Sequence, residues 1–479
     1  MSQKLTRRRF LATAAAAAGI GLPLTAACSR GQKRGLSSST AESNASWKAG
    51  VARIQITPEK PVWLTGYGAR TKPSEGSLID LYAKALALED PAGNRAVLVT
   101  SDLLGFPAEV AANVAGTVEK RFRLSRDRLM LTSSHTHGGP AVHNSLRYLY
   151  GARSTPEQWR DVEDYTRELE RKVVEAVGAA LKDLQPAQLR FGHTRATFGV
   201  NRRRKNEKGY SIGVNPEGPV DPDVPVLRVE SPDGRLRGVV FGYACHNTTL
   251  GGDIYQFHGD YAGFAQAWLE KQHPDATAFF IEGCGGDINP NPRGTVELAQ
   301  QYGETLAGAV DQAVAGSLVP VGGRLKTAFE RVPIPFAPLP SREQLQAELQ
   351  QKDVYMQWHG RELLKQIERD GRLPATYPYP IQVWQFGRDL TLVALAGEVV
   401  VDYVLRLKKE LGADRLWVAG YSNDVFAYIP SRRVLEEGGY EAGGAMTYYV
   451  QPGPFAPEVE EIVIRKIHEM AGRVRSQPQ

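Results

Sequence analysis

The chain has 479 residues, of which 42% are hydrophobic and 23% are charged, and its formal net charge is +5. This length and composition allow a large buried core and exclude a collagen-like or disordered chain. The positive net charge comes from residues 1–47, which hold seven Lys or Arg and one acidic residue. The remainder is close to neutral, so we expect no nucleic-acid partner.

The N-terminal segment predicts export. Residues 1–27 contain a twin-arginine pattern at residues 6–11 and then an apolar run at residues 12–24. This run is shorter than the ~20 residues of a spanning helix, so it indicates a twin-arginine export signal and not a membrane anchor. The residues before Cys28 fit both ordinary signal-peptidase cleavage and a degenerate lipobox. We therefore expect a periplasmic protein, a secreted protein, or a cell-surface lipoprotein tethered to the membrane through lipidated Cys28.

After the signal, residues 28–47 are polar and Ser-rich and predict a flexible linker. Apolar or alternating runs then predict strands at residues 51–57, 83–88, 96–100, 129–132, 188–191, 224–229, 236–243, 278–281, 381–386, 390–395 and 415–420. Amphipathic spacing predicts helices at residues 109–121, 157–184, 262–272, 300–315, 399–411 and 457–474, and a polar helix or hairpin at residues 342–369. This order predicts an α/β fold of mixed β-sheets flanked by helices, in a single large domain over residues 48–479.

Polar clusters follow three of the predicted strands, at residues 134–140, at residues 244–260 and at residues 282–291. Four of the nine His residues fall in the first two clusters. A His-x-His at the end of a strand directs both rings to one face, because strand side chains repeat every second residue. Two His and a carboxylate around an open position form a catalytic zinc site. The alternative is that these His residues cap loops and hydrogen-bond to the backbone.

Several short motifs occur in an order that is specific in combination. They are SSHTHGGP at residues 133–140, ACHNTT at 244–249, HGDYAGFA at 258–265 and GCGGDINPN at 283–291, with LTGYGAR at 64–70, AGE at 396–398 and NDVFAYI at 423–429. From about residue 51 to the C-terminal helix, the chain resembles the neutral/alkaline non-lysosomal ceramidase family. This resemblance implies an α/β catalytic domain with one zinc ion per chain, which hydrolyses the amide bond of N-acylsphingosines.

The resemblance also implies a zinc ligand set, which consists of His135, His246, Glu398 and Tyr428. Zinc lowers the pKa of bound water to ~7 and polarises a carbonyl group. His137 would then act beside the zinc as a general base or as a proton donor to the leaving amine.

Two further catalytic residues are implied. Arg202 matches a substrate-binding arginine, and Tyr440 matches a tyrosine suited to donating to a tetrahedral oxyanion. The alternatives are a solvated basic loop around Arg202 and a packed surface aromatic at Tyr440. We also predict substrate contacts for four polar residues of the strand-end loops, namely Asn289, Asp287, Asp102 and Asp260. Asp102 or Asp260 is the alternative to His137 as general base.

The chain departs from the family pattern in several places. Asn289 replaces a serine that has been discussed as catalytic, and Gly138 replaces the serine after the second histidine. Asn cannot act as a nucleophile, so we expect the mechanism to use zinc-activated water. We also expect the catalytic domain alone, without the C-terminal immunoglobulin-like domain of ceramidases. Cys245 and Cys284 are either paired once oxidised or buried as free thiols.

The sequence therefore predicts an exported zinc-dependent amidohydrolase that acts on a small-molecule or lipid N-acyl substrate. One alternative is a zinc hydrolase of an ester or phosphate bond, and another is a catalytically silent binding lipoprotein that keeps the fold. The segment at residues 335–380, with Tyr355, Trp358, Tyr377 and Tyr379 among charged residues, is either a lid over the site or a surface helix. The oligomeric state is unknown.

Overall fold

The computed structural model describes residues 47–146, 148–151 and 153–476. The predicted export signal, the linker and Cys28 lie outside these residues. Among the described helices, none combines the length and apolar character needed to cross a membrane.

The strands of the described residues agree with most of the predicted ones and add several others, some of them only two or three residues long. In chain order they are β1 (Trp47–Gln55), β2 (Tyr82–Glu89), β3 (Arg95–Ser101), β4 (Leu129–Ser133), β5 (Gln185–Arg195), β6 (Gly199–Asn206), β7 (Gly209–Asn215), β8 (Asp223–Glu230), β9 (Leu236–Tyr243), β10 (Thr277–Glu282), β11 (Ile288–Pro290), β12 (Val319–Val321), β13 (Leu325–Pro335), β14 (Thr376–Phe386), β15 (Leu390–Leu395), β16 (Glu398–Val399), β17 (Leu416–Ala419) and β18 (Tyr428–Ile429).

The helices also follow the predicted order. They are α1 (Ala108–Phe122), α2 (Tyr148–Gly151), α3 (Pro156–Lys182), α4 (Asp260–Gln272), α5 (Val296–Ala315), α6 (Arg342–Glu348), α7 (Val354–Asp370), α8 (Asp402–Leu411), α9 (Arg432–Glu437), α10 (Met446–Tyr449) and α11 (Val459–Ser476). Short 3-10 and π-helical turns occur at Arg126–Arg128 and Tyr440–Gly444. The α3 helix begins with a capping box, in which Thr155 and Gln158 satisfy each other's backbone amides.

Two stacked sheets form the centre of the fold. The larger sheet has the order β10-β9-β8-β5-β1-β2-β3-β4, with β12 beside β5, and the smaller one has the order β13-β14-β15-β17. Successive residues of a strand point to opposite faces, so each sheet contributes to two cores. Val240 of β9 and Trp384 of β14 share the core between the sheets, whereas Phe241 and Val383 belong to the core that also contains helix residues. The mixed α/β prediction is confirmed.

The curvature of the larger sheet brings distant loops together. The β3–β4 and β9–β10 pairs are parallel, and the end strands β4 and β10 come into contact. The loops that leave the carboxyl ends of these strands therefore meet at one place, where α/β folds carry their sites. The two-stranded β16–β18 ladder and the three-stranded β11-β6-β7 sheet lie beside this junction.

Sequence patterns did not predict β13 or the β6–β7 hairpin, and they left the structure of residues 342–369 open between a helix and a hairpin. The hairpin of β6 and β7 has a polar, Arg-rich first strand, so hydrophobic periodicity does not mark it. The polar segment at residues 342–369 forms two helices, α6 and α7, and Ser341 starts α6 with a capping box.

Candidate metal centre

His135 follows β4 in a strained turn. Its φ of 56° lies in the left-handed region, which costs a non-glycine residue roughly 1–3 kcal/mol. Its Nδ1 lies 2.7 Å from the carbonyl oxygen of Leu104. A carbonyl can only accept, so Nδ1 carries the proton and the Nε2 lone pair is directed into the site.

His246 follows β9 and is oriented in the same way. Its Nδ1 lies 2.7 Å from the carbonyl oxygen of Gly285, so its Nε2 also presents a lone pair. The next residue, Asn247, donates to the carbonyl of Ser134 at 2.6 Å and to Oε2 of the buried Glu282 at 3.0 Å. Asn247 thereby joins the two histidine loops, and burial raises the pKa of Glu282 well above its ordinary value.

Glu398 lies in β16, shortly after β15 of the smaller sheet. Gly397 has a φ of 75°, and a β-carbon there would lie 2.7 Å from the carbonyl oxygen of Ala427, so the turn into β16 requires glycine. The parallel β16–β18 ladder pairs Glu398 with Tyr428. This pairing places the carboxylate and the phenol side by side.

Glu398, His135 and His246 direct lone pairs at the same point, and none of the three facing atoms carries a proton with which to hydrogen-bond the others. Glu398 Oε2 lies 3.1 Å from His135 Nε2 and 3.0 Å from His246 Nε2. Burial and Arg202 lower the pKa of His246 to about 4, so its imidazole is neutral. An ionised carboxylate and two neutral imidazoles repel one another unless a cation lies between them. These residues fit a metal ion, and a catalytic zinc site uses two His and one carboxylate.

Tyr428 adds a phenolic oxygen to this donor set, 3.4 Å from His246 Nε2. Arg202 donates from Nη2 to that oxygen at 2.9 Å, and from Nε to Glu441 at 2.8 Å. Arg202 is 5% exposed, so the solvated-loop alternative does not describe it. Glu441 also accepts from Arg203 Nη1 at 2.6 Å, which holds both guanidinium groups in the interior.

The ring of His137 lies beside the proposed ligands His135 and His246. Its Nε2 is 3.2 Å from His135 Nε2, and the ligand atoms of His135, His137 and His246 lie within 4.8 Å of one another. Burial and the neighbouring imidazoles lower the pKa of His137 well below its ordinary value. The structure thus places His137 where it can exchange a proton with a group at the metal centre.

A cavity of about 460 Å³, here called the metal cavity, opens over these residues. Its wall includes His135, His137, Glu398, Tyr428 and Tyr440, together with the aliphatic side chains of Leu104, Leu146, Leu149 and Ile212. The ring centroids of Tyr440 and Tyr428 are 5.4 Å apart. The cavity therefore combines the predicted chemistry with an apolar wall, which is typical of small-molecule sites.

Asn289 lies beside the cavity wall and not in it. Its side-chain oxygen accepts from Arg202 Nη1 at 3.2 Å and from Thr248 Oγ1 at 3.3 Å. Among the described contacts, Asn289 supports Arg202, and a direct substrate contact stays a prediction.

The three predicted aspartates do not reach the metal cavity. Asp102, Asp260 and Asp287 are buried and use their carboxylates to hold the protein's own amide groups. The donors are Tyr82 N and Gln266 Nε2 for Asp102, Thr249 N, Leu250 N and Tyr261 N for Asp260, and Val401 N and Asn201 Nδ2 for Asp287. Burial raises the pKa of all three and takes that of Asp287 to about 6. Their geometry is that of loop anchors.

Sequence reasoning missed two residues that contact Glu398. The hydroxyl of Tyr449 donates to Glu398 Oε1, and Tyr421 OH lies 3.5 Å from Oε2. Tyr449 stands in α10, in a stretch without a recognisable motif, so only the tertiary fold identifies it. Tyr421 has a φ of 47° in the loop between β17 and β18, a region that the NDVFAYI motif only adjoins.

The residues of the predicted lid segment have separate roles. Tyr355 lines the metal cavity and donates to the carbonyl of Gly68 at 2.9 Å. Tyr377 and Tyr379 belong to β14 and donate to Asp424 and to a backbone carbonyl, away from the metal cavity. The helix that carries Tyr355 therefore forms part of the cavity wall.

The described cysteines, Cys245 and Cys284, are free and buried. The free-thiol alternative is the one that the structure supports. Burial raises the pKa of both thiols, so neither has the thiolate character of a nucleophile.

The family model for the N-terminal domain of neutral/alkaline non-lysosomal ceramidases matches residues 47–317, which is more than half of the chain. The chain belongs to this ceramidase family. Curated relatives include neutral ceramidase B of Dictyostelium discoideum, 27% identical over 270 residues, and neutral ceramidase of Pseudomonas aeruginosa, 24% identical over 262 residues. These matches cover 52% and 51% of this chain, but only 36% and 37% of the relatives.

Solved ceramidase structures share the fold. A structure described as ceramidase complexed with C2 superimposes with a TM-score of 0.71 at 18% identity, covering 91% of this chain and 77% of the other. Neutral ceramidase from Pseudomonas aeruginosa gives a TM-score of 0.69 at 20% identity, with 90% and 75% coverage. The shared fold therefore extends past the region matched by the family model.

Proposed function

We propose that the chain hydrolyses the amide bond of an N-acyl substrate at a zinc ion held by His135, His246, Glu398 and Tyr428. The convergence of three electron-pair donors on one point is the observation that carries this proposal. When bound, zinc lowers the pKa of water and polarises a carbonyl group. The two curated relatives described above are named as ceramidases, which supports an amide as the reacting bond.

The surrounding residues have separate roles in this proposal. Tyr440 lines the cavity next to Tyr428 and is positioned to donate to the oxygen that becomes negative in the transition state. Arg202 fixes the Tyr428 oxygen through its 2.9 Å hydrogen bond. His137 lies close enough to the ligands to carry a proton between the attacking water and the leaving amine.

The apolar wall of the metal cavity suits the acyl arm of the substrate. Leu104, Leu146, Leu149 and Ile212 offer aliphatic surface beside the ligands. Removing such a chain from water is favourable by roughly 0.8 kcal/mol per methylene group. A ceramide-like lipid or another N-acyl compound therefore fits this side of the site.

We further propose that the protein acts outside the cytoplasm, either soluble or tethered through Cys28. The twin-arginine pattern at residues 6–11 and the short apolar run that follows support this location. Labelling of Cys28 with a fatty acid would indicate the tethered form, whereas a mature N-terminus at an unmodified Cys28 would indicate the soluble form.

The proposal is tested by metal content and turnover together. Purified wild type should contain one zinc ion per chain by mass spectrometry and should hydrolyse members of a panel of N-acyl substrates. His135→Ala should lose both the zinc and the activity, whereas His273→Ala, a half-buried change on the end of α4, should retain both. Zinc without turnover of any amide would instead indicate a binding protein, and a metal-free wild type would remove the ligand assignment.

A further inference from the structure

A second cavity lies against the metal cavity. This second chamber has a volume of about 490 Å³ and shares Leu146, Tyr448 and Tyr449 with the metal cavity as a common wall. Tyr449 also donates its hydroxyl to the proposed ligand Glu398. One side chain therefore contacts the metal centre while its ring borders both spaces.

The two cavities differ in the chemistry of their walls. The metal cavity carries a group of aliphatic residues, as described above. The second chamber also has apolar residues, such as Val425 and Val450, but it adds charged side chains of both signs, from Glu109 of α1 and from Glu362, Lys365 and Arg369 of α7. An alkyl chain placed against these charged groups would replace none of their hydrogen bonds to water, which is unfavourable wherever it excludes that water.

The wall of the second chamber includes a buried carboxyl group, that of Asp424, next to the stacked rings of Tyr377 and Phe426. Asp424 is 2% exposed and accepts a hydrogen bond from Tyr377 OH at 2.5 Å. The rings of Tyr377 and Phe426 stack with a centroid separation of 3.6 Å. A carboxyl group next to a flat aromatic surface can accept from hydroxyl groups while the ring covers the apolar face of a sugar-like molecule.

The charges at the entrance are already paired. Lys365 lies 2.8 Å from Glu362, and Arg369 is paired with Asp370. With cations and carboxylates interspersed, the entrance favours neither a strong anion nor a strong cation. It suits an uncharged group that both donates and accepts hydrogen bonds.

An amide substrate has two arms, and the reacting bond must lie at the ligands. If the acyl arm occupies the aliphatic side of the metal cavity, the amine arm lies next to the shared side chains Leu146, Tyr448 and Tyr449, and the second chamber begins on their other side. We propose that the amine arm is hydroxyl-rich, as in an N-acylated amino sugar, and that the second chamber binds it. This inference rests on the proposed amide hydrolysis.

Hydrolysis then adds water across the C–N bond. The acyl carbon gains the oxygen and leaves as a carboxylate, and the amino-sugar nitrogen takes a proton as it departs. No oxidant, reductant or further co-reactant is needed.

The test compares two substrates with the same acyl chain, N-octanoylglucosamine and N-octanoylmethylamine, and the single methyl group of the second is too short to enter the second chamber. Wild type should hydrolyse the glucosamine compound with a kcat/KM about tenfold or more above that of the methylamine compound, since each tenfold corresponds to ~1.4 kcal/mol. Gln366→Trp, which places a large ring in the second chamber from α7, should abolish this preference and leave the methylamine compound unaffected. Gln301→Trp, an exposed change on α5, is the matched control and should keep the preference.

Equal or reversed preference in wild type, or an equal loss on both substrates in Gln366→Trp, would overturn the inference. Calorimetric binding of N-octanoylglucosamine is measured in parallel, so that the chamber is tested even without turnover. Absence of all amide hydrolysis would refute the proposed function. Binding that is weakened by Gln366→Trp and not by Gln301→Trp would still support the chamber as a hydroxyl-rich site, and binding unchanged by either variant would refute it.

Discussion

Gly138 lies directly against the ring of His258, so that a β-carbon at residue 138 would come within 2.4 Å of three ring atoms. His258 is fully buried, and its backbone amide donates to the Gly138 carbonyl at 3.1 Å. The loop that carries His135 and His137 is therefore packed on this histidine. The glycine that replaces the family serine has a steric cause in this chain.

Restoring the serine should destabilise the protein. We expect Gly138→Ser to lower the free energy of unfolding by about 1–3 kcal/mol, the usual range for overpacking a buried site. Denaturant unfolding would measure it, and His258→Ala in the same chain should relieve part of the loss. Gly472→Ser on α11, where a β-carbon meets nothing within 4 Å, is the control and should be close to neutral. Equal effects at residues 138 and 472 would contradict the packing argument.

Arg202 should matter through the shape of its guanidinium group. Arg202→Lys keeps the charge but cannot span Tyr428 and Glu441 at once, so we expect kcat to fall about 100-fold while zinc is retained. Steady-state kinetics and metal analysis of the same preparation would measure both. Arg204→Lys, on an exposed residue of the same strand, should keep full activity. A matching loss in both variants would refute the assigned role.

Asp424 should make the protein less stable as pH rises. Burial raises its pKa to about 7, whereas an unfolded aspartate titrates near ~4, so the folded state binds the extra proton between these values. The free energy of unfolding then falls with rising pH in this window, by at most ~1.4 kcal/mol per pH unit from this group. Asp424→Asn should reduce that fall. The exposed change Asp275→Asn should leave it as in wild type, and identical pH profiles for all three proteins would exclude the effect.

The two buried thiols should be inert until the protein unfolds. In a Cys28→Ser chain, a thiol reagent should react with Cys245 and Cys284 only after denaturant is added, because neither thiol is accessible or ionised. A reducing agent should leave the melting temperature unchanged. Fewer than two reactive thiols in the denatured, unreduced protein would reveal a disulfide.

Sequence patterns predicted the site unevenly. Motif identity pointed to His135, His246, Glu398 and Tyr428, and the structure brings all of them together. The same reasoning grouped Asp102, Asp260 and Asp287 with the substrate, because they occur in the same strand-end loops. In the folded chain their carboxylates accept from backbone amides, those of Tyr82, Thr249 and Val401 among them. Adjacency in sequence does not say which way a side chain turns.

The sequence by itself determined the family, the mixed α/β architecture and the residue types of the proposed ligands. These features are encoded locally, by apolar periodicity and by short ordered motifs. Only the tertiary structure decided that Tyr449 contacts Glu398, that Asn247 joins the two histidine loops and that a polar chamber adjoins the metal cavity. Those contacts join segments far apart in the chain, and they exist because the larger sheet curves until β4 meets β10 and because α7 packs against α10, which carries Tyr449.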